Sequence, residues 1–433
     1  MIKNKMVANA SWFIGCRIVQ AVLNLVVGMI SARYLGPSGY GLINYAASLV
    51  AFGLPIAQLG INHVIVQEFV NEPEKEGEIL GTSLVLGSVS AVSCVLAIMV
   101  FVGFVNAGEQ TTIIVCLLYS ISLIFQTMEM VRYWYQAKLI AKYTSIVSLV
   151  AYAAIAIYKI LLLATGKSIY WFAVANTLDC LIIVISLLII YFRLGGKRFS
   201  FSKNRATKLV SIGKYYIVSS LMVTVFAQTD KIMLKLMLDE VETGYYSAAI
   251  TLTMVTAFIF NAIIDSARPT IFKRLKLSTD AFENGIVQLY SIIIYLSLAQ
   301  CICMTLLARP LIQFIYGNDF LPAASALRIA TWYSTFAYVG AVRDIWLLAM
   351  KQQKVLWKIN LSGAIINVVL NYLLIPVMGI KGTALASLCT QFFANFLITY
   401  LIRPIRRNNT LLIYSLNPKM IITLINSIQK ADN

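Results

Sequence analysis

Charge is what this sequence has least of. Only 12% of its 433 residues are Asp, Glu, Lys or Arg, about half the share of an ordinary soluble domain. With 60% hydrophobic residues and a mean hydropathy of +0.81, that scarcity excludes a water-soluble enzyme, a disordered chain and a disulfide-stapled scaffold. Histidine is scarcer still. The single His63 excludes a histidine-based metal centre and leaves no Ser/His/Asp arrangement. The seven cysteines, Cys16, Cys94, Cys116, Cys180, Cys301, Cys303 and Cys389, all lie in apolar stretches and read as small hydrophobes, with no disulfide and no metal site. No phosphate-binding loop with its Lys-Ser/Thr is present, so ATP does not drive the protein directly and no cofactor is implied. Long polar loops are missing too, which argues against a multi-pass polymerase or glycosyltransferase, whose catalytic groups need one.

What the sequence does have is a succession of apolar runs, each near the roughly 20 residues that a spanning helix needs. They predict an all-α polytopic membrane protein with about twelve spans, at 9–33, 42–66, 79–105, 111–136, 143–164, 168–192, 209–236, 244–267, 285–307, 322–350, 355–378 and 382–402. The basic start, Met1-Ile2-Lys3-Asn4-Lys5, precedes an apolar run too long for a signal peptide, so a first span is expected there instead. Residues 1–192 form one expected lobe, 193–208 a basic cytoplasmic linker, 209–402 a second lobe, and 403–433 a basic tail at the membrane surface. Lys and Arg number 35 against 18 Asp and Glu. In a soluble protein that excess would indicate nucleic acid; here it follows the positive-inside pattern, and no nucleic-acid partner is expected. With both termini cytoplasmic, about 23 cations fall inside and about 5 outside. The loop after the second span departs from this pattern, because Glu68, Glu72, Glu74, Glu76 and Glu78 outnumber Lys75; the acidic run reads as a solvated turn.

The two halves resemble each other. Gly39-Tyr40-Gly41-Leu42-Ile43-Asn44-Tyr45-Ala46 returns as Gly244-Tyr245-Tyr246-Ser247-Ala248-Ala249, and Val131-Arg132 as Val342-Arg343. Such weak internal similarity marks transporters built from repeats, with the substrate path between lobes.

Four segments carry a more specific likeness. They are Arg33-Tyr34-Leu35-Gly36-Pro37-Ser38-Gly39-Tyr40-Gly41; Thr229-Asp230-Lys231-Ile232-Met233-Leu234; Tyr316-Gly317-Asn318-Asp319-Phe320-Leu321-Pro322; and Leu374-Ile375-Pro376 with Gly379-Ile380-Lys381-Gly382-Thr383-Ala384. In this order and spacing they resemble the polysaccharide (O-antigen) flippases of the multidrug/oligosaccharidyl-lipid/polysaccharide exporter superfamily. The resemblance implies a V-shaped, alternating-access transporter with a cationic cavity. It implies an oligosaccharide cargo on undecaprenyl diphosphate, moved from the cytoplasmic to the outer leaflet of a bacterial inner membrane. Expected partners are that lipid-linked oligosaccharide, membrane lipids, a proton or sodium as coupling ion, and a polysaccharide polymerase with its chain-length regulator. A drug/cation antiporter of the same superfamily is the alternative, though it would want an anionic cavity.

Ionisable residues inside spans are costly and are functional candidates by default. Arg17, Arg132, Lys214, Arg268 and Arg343 gather in the inner halves of their expected spans and are candidates for the diphosphate, whose oxygens suit a guanidinium fork. Arg17 stands out because no acid lies three or four residues away. Glu129–Arg132 and Asp265–Arg268, each three apart, read equally as local helix-surface pairs, and Lys214 and Arg268 also as snorkelling to headgroups. Asp179, near the middle of its span, is a coupling candidate or a hydrogen-bonded structural acid. Asp230, Lys231, Asp265 and Asp344 are coupling or gating candidates. Asn360, Asn367 and Asn371 form one stripe, read either as interhelical hydrogen bonds or as sugar contacts. Pro55, after Gly53, is the expected kink.

Overall fold

The computed structural model describes residues 2–417, with the side chains of residues 19, 20, 23 and all from 25 onward. Among the described residues it is helical throughout, with no strand. Ten helices are long and apolar enough to cross a membrane, so the chain is a multi-pass membrane protein. The helix Ala323–Ala349 carries Arg328, Arg343 and Asp344 and is not among the ten. The chain divides into two compact units, Met1–Leu236 and Met237–Asn433.

In the first unit, α1 (Ile2–Ala57) holds the first two expected spans in one run, broken at Gly36. Gly36 takes φ 67° and ψ 178°, a conformation open essentially to glycine alone. Pro37 then starts the second half, where its missing N–H is not needed. The kink expected at Pro55 is therefore displaced: Gly36 is the departure from helical geometry, and Pro55 sits in the last turn. That second half stops at Ala57 instead of continuing to 66, because Leu59 (φ 52°) and Gly60 (φ 65°) both turn left-handed. The unit continues through α2 (Ile65–Asn71), α3 (Glu76–Val105), α4 (Gln110–Ser120), α5 (Ser122–Met128), α6 (Arg132–Ala137), α7 (Lys142–Ala164), α8 (Ile169–Arg193) and α9 (Lys203–Met237). A 3₁₀ turn, Glu129–Val131, separates α5 from α6.

The acidic run is not a solvated turn. Arg205, 6% exposed, donates to Glu68 (3.1 Å), Glu72 (2.8 Å) and Glu78 (3.0 Å). Lys208 reaches Glu68 at 2.8 Å, Lys197 reaches Glu74 at 2.8 Å, and Lys138 reaches Glu76 at 2.9 Å. The linker backbone lies directly on α3: a Cβ at Gly77 would strike the Arg198 carbonyl oxygen, and one at Gly81 would fall 2.6 Å from that of Ser200. Residues 203–208, expected as linker, are the first turns of α9. Farther along, α9 crosses the turn after α1 backbone to backbone, since a Cβ on Gly213 would strike the Leu59 carbonyl oxygen. Ser48 donates to Gln228 at 3.0 Å, and Lys235 meets Glu109 at 2.7 Å. The seventh span, expected in the second lobe, thus packs in the first unit through residue 236.

The second unit contains α10 (Glu240–Leu275), α11 (Thr279–Tyr316), α12 (Ala323–Ala349), α13 (Leu356–Met378), α14 (Ile380–Phe392), α15 (Ile398–Leu401) and α16 (Arg406–Ser415). Asp239 caps α10 by accepting from the Glu242 N–H at 2.8 Å, and Ser278 caps α11 through the Ala281 N–H at 3.0 Å. The core packs around Phe260, Tyr290, Tyr338 and Trp346, with Phe260 stacked on Tyr338 at 4.1 Å. A π turn, Phe393–Leu397, interrupts the last span. The first part of the expected surface tail folds back as α16 onto α11: Tyr290 donates to Asn408 at 2.9 Å, and Arg407 pairs with Glu283 at 2.5 Å. Pro418 and Lys419 lie outside the described residues.

Arg205→Gln is expected to lower stability by about 3 kcal/mol, because it leaves Glu68, Glu72 and Glu78 with only the exposed Lys208 and Lys75 as cations. Hydrogen bonds from Arg205 and Lys75 hold the Glu72 carboxyl at about 2, below its ordinary 4.5. A depressed carboxylate contributes above its unfolded value and loses that contribution as pH falls through the folded one. The difference in unfolding temperature between wild type and Arg205→Gln should therefore be constant above about pH 5 and shrink between about 4.5 and 2. Equal unfolding temperatures at neutral pH would refute the role of this cluster.

Candidate functional site

Each unit contains a charged site where two of the expected spans meet: the fourth against the sixth in the first unit, the tenth against the twelfth in the second. In the first unit the 3₁₀ turn leads into Arg132, whose guanidinium pairs with Glu129 three residues earlier. On the facing helix α8, Asn176 and Asp179 stand one turn apart. Lys159 of α7 and Arg132 are the cations whose fields reach the Asp179 carboxylate. Three buried atoms here have no hydrogen-bond partner: Arg132 Nε, Asn176 Nδ2 and Asp179 Oδ1. Orphaned buried polar atoms are rare enough to call for an explanation. A buried carboxylate oxygen without a hydrogen-bond partner is chemically able to accept a proton or a small cation.

In the second unit, Arg343 is 4% exposed. Its Nη2 donates to Asp344 at 2.8 Å and its Nη1 to Asn395 Oδ1 at 2.9 Å. Asn395 lies inside the π turn of the last span and donates to Gln391 at 2.6 Å. The wide turn brings the Ala394 carbonyl oxygen to 3.4 Å from Arg343. π turns concentrate at functional positions because they break the i→i−4 ladder and free a carbonyl. Gly340 makes room for this arrangement, since a Cβ there would collide with Asn395 Oδ1.

The other expected residues fall as follows. The side chain of Arg17 lies outside the described residues. Lys214 is exposed over the Tyr215 ring, 5.2 Å from its centroid. Arg268 and Asp265 form an exposed pair at 3.2 Å. Asp230 is buried beside the half-buried Lys231. Asn367 and Asn371 are buried and bonded to each other at 3.1 Å, while Asn360 is half-buried. The lone His63 stacks on Tyr216 and contacts Ser220 at 3.3 Å. Sequence reasoning missed the link between Lys159 and Asp179 and the part played by Asn395. A polar residue near the middle of the last span, Asn395, was the available signal for the second.

Outside the charged sites, the first unit has an apolar crevice of about 450 Å³ between α1, α3 and α9, lined by residues such as Phe52, Ile98, Phe101 and Leu221.

The family described as "Polysaccharide biosynthesis protein" matches residues 6–275. Among solved structures, the chain is similar to lipid II flippase MurJ in an inward closed conformation, at 14% identity and TM-score 0.73, covering 98% of this chain and 93% of that one. It is also similar to a multidrug resistance MATE family transporter of the MOP superfamily in an inward-facing conformation, at 13% identity and TM-score 0.66, covering 91% and 95%. A eukaryotic MATE transporter, AtDTX14, aligns at 13% identity and TM-score 0.58, covering 95% and 98%. Among curated proteins none matches. At these identities the structures establish the fold: the chain has the exporter fold of MATE and MurJ.

Gly340→Ala should displace Asn395 from Arg343 and cost about 1–3 kcal/mol of stability. A double-mutant cycle with Asn395→Ala checks this. The two costs should be strongly sub-additive, because the second substitution removes the group that the first one strikes; simple additivity would refute the contact.

Proposed function

The chain belongs to the polysaccharide biosynthesis protein family, and we propose that it is a flippase for undecaprenyl-diphosphate-linked oligosaccharide. Its cargo would be an O-antigen or capsule repeat unit, carried from the cytoplasmic to the outer leaflet of a bacterial inner membrane. Both termini face the cytoplasm in this reading. The observation that carries it is Arg343, a buried guanidinium held by a carboxylate that solvent still reaches. Asp344 is 47% exposed, so an incoming phosphate oxygen can take its place on the fork. Arg17, Lys214 and Arg268 are assigned to the same anionic headgroup as it moves, and Arg132, expected there as well, is assigned instead to the field on Asp179, because its partner Glu129 is largely buried. The apolar crevice of the first unit suits a polyprenyl tail. Neutral sugars would be met by amide side chains, of which the half-buried Asn360 is the most available; Asn367 and Asn371 would first have to release each other.

Transport against a concentration difference needs a source of energy, which we assign to an ion gradient or the membrane potential. Asp179 is the proposed site of a proton or sodium, because one of its carboxylate oxygens is buried without a hydrogen-bond partner. Asp230, Lys231, Asp265 and Asp344 are assigned to gating. A polysaccharide polymerase and chain-length regulator would receive the product. The alternative of a drug/cation antiporter fits less well, since cationic drugs would meet the guanidinium groups of Arg132 and Arg343.

Arg17→Ala and Arg343→Ala should each abolish surface polysaccharide at unchanged protein level, and Arg343→Lys should restore only part of it, since an ammonium lacks the planar fork. Asp179→Asn should leave cargo binding intact but remove the gradient dependence of flipping in vesicles. Normal surface polysaccharide in both arginine variants would overturn the reading.

A further inference from the structure

The second unit contains a cleft of about 630 Å³ at the end where α10, α12 and α14 begin. It is separate from the Arg343 site and shares no lining residue with it. Three cations border it, Arg309 near the end of α11, Arg328 of α12 and Lys381 of α14. All three are exposed, and none has a carboxylate within ion-pair distance among the described residues. One acid lines the cleft, Glu242, and it is already engaged by the Ile380 N–H at the start of α14. Asp239 and Asp319 lie in neighbouring turns, near Tyr245, and neither lines the cleft. Three cations against one carboxylate leave an excess of two positive charges in one concavity.

We infer that this cleft is a binding site for a phosphate-bearing lipid headgroup. Like charges gathered without counter-charges repel one another, and an anion bound among them relieves that repulsion. The start of α12 adds to the field, because Pro322 offers no capping side chain and the first turn holds no acid. Gly379, at φ 57°, carries no side chain to cover the start of α14. The position of these cations is itself informative. The loops before α10, α12 and α14 are the ones in which the sequence places few Lys and Arg, yet three of them converge here. An open cleft beside apolar helices, with its charges at the helix ends, suits an amphiphile whose tail stays in the membrane.

Two sources share this chemistry, the diphosphate of the flipped cargo and the phosphate of a resident anionic phospholipid. If the cargo is the source, the cleft receives the headgroup on the releasing side; that role rests on the proposed flippase function, whereas phosphate binding itself does not.

The test uses the full chain in phosphatidylcholine nanodiscs, titrated separately with undecaprenyl diphosphate and with phosphatidylglycerol. The triple variant Arg309→Gln/Arg328→Gln/Lys381→Gln should bind at least one of them about tenfold more weakly than wild type. Arg309→Lys/Arg328→Lys, which keeps the charge, should retain most of the affinity. A loss confined to undecaprenyl diphosphate identifies the cargo headgroup, a loss confined to phosphatidylglycerol a resident lipid, and a loss of both a general phosphate site. Unchanged binding of both lipids in the triple variant overturns the inference. That result would leave the flippase reading standing if Arg17→Ala and Arg343→Ala still abolish surface polysaccharide. Conversely, weakened binding together with normal polysaccharide in those two variants would retain the cleft and discard the flippase.

Discussion

One guanidinium, that of Arg205, fixes where the seventh span sits. It is buried among Glu68, Glu72 and Glu78, on two different helices and the turn between them. Hydrophobic packing does little to hold α9, because only 11% of its most apolar stretch is buried in the protein, the lowest share among the ten spans. Helices in a bilayer gain no hydrophobic driving force by leaving lipid for protein, so polar clips and close backbone approach decide their placement. Here the clips sit at the two ends, Arg205 with its carboxylates and Lys235 with Glu109, and the Gly60–Gly213 crossing lies between them. The same interactions change the electrostatics of the linker. Three of its cations, Lys197, Arg205 and Lys208, are matched by carboxylates within the first unit. Its positive face is therefore reduced to the exposed Arg193, Arg198 and Lys203.

Inside the spans the chain meets a different constraint. A cation must find acceptors where the regular helix has none to spare, and both units depart from the α-helix beside such a cation. In the first, a 3₁₀ turn precedes Arg132; in the second, a π turn places the Ala394 carbonyl and Asn395 beside Arg343. The departures differ in kind but occupy related places, the meeting of the fourth expected span with the sixth and of the tenth with the twelfth. The internal repeat visible as Val131-Arg132 and Val342-Arg343 is thus a repeat of packing as well as of residues.

The spans with uniform apolar runs were legible to within a residue or two: 143–164 is Lys142–Ala164, and 355–378 is Leu356–Met378. Legibility failed where the deciding contact was distant in sequence. The end of α1 at Ala57 depends on a left-handed Leu59, which no local preference announces. The helical start of α9 reads as linker because Lys203, Arg205 and Lys208 look solvated until the partners of Arg205 and Lys208, more than 120 residues earlier, are in place. The acidic run did carry a signal, since five glutamates in a loop of the basic side, with a basic linker on that same side, are charge-complementary. For the site, residue type located Arg132, Asp179 and Arg343, but not which of their atoms lack partners, because that depends on side-chain geometry.

Burial separates the candidate cations into two kinds. Arg132, Arg268 and Arg343 each have a resident carboxylate, so an arriving phosphate oxygen would exchange for a carboxylate instead of meeting a bare charge. That exchange is cheap only where the displaced carboxylate can return to water. Stranding it in the interior costs several kcal/mol by the usual desolvation argument, about as much as the phosphate pairing would return. Asp344 and Asp265, 47% and 66% exposed, can reach water; Glu129, 15% exposed, cannot. Under the proposed function Arg343 and Arg268 are therefore suited to hand a headgroup along, while Arg132 stays paired and acts through its field on Asp179. Under that proposal the chain would use an arginine–carboxylate pair for two purposes, transfer of an anion in one unit and control of an acid in the other.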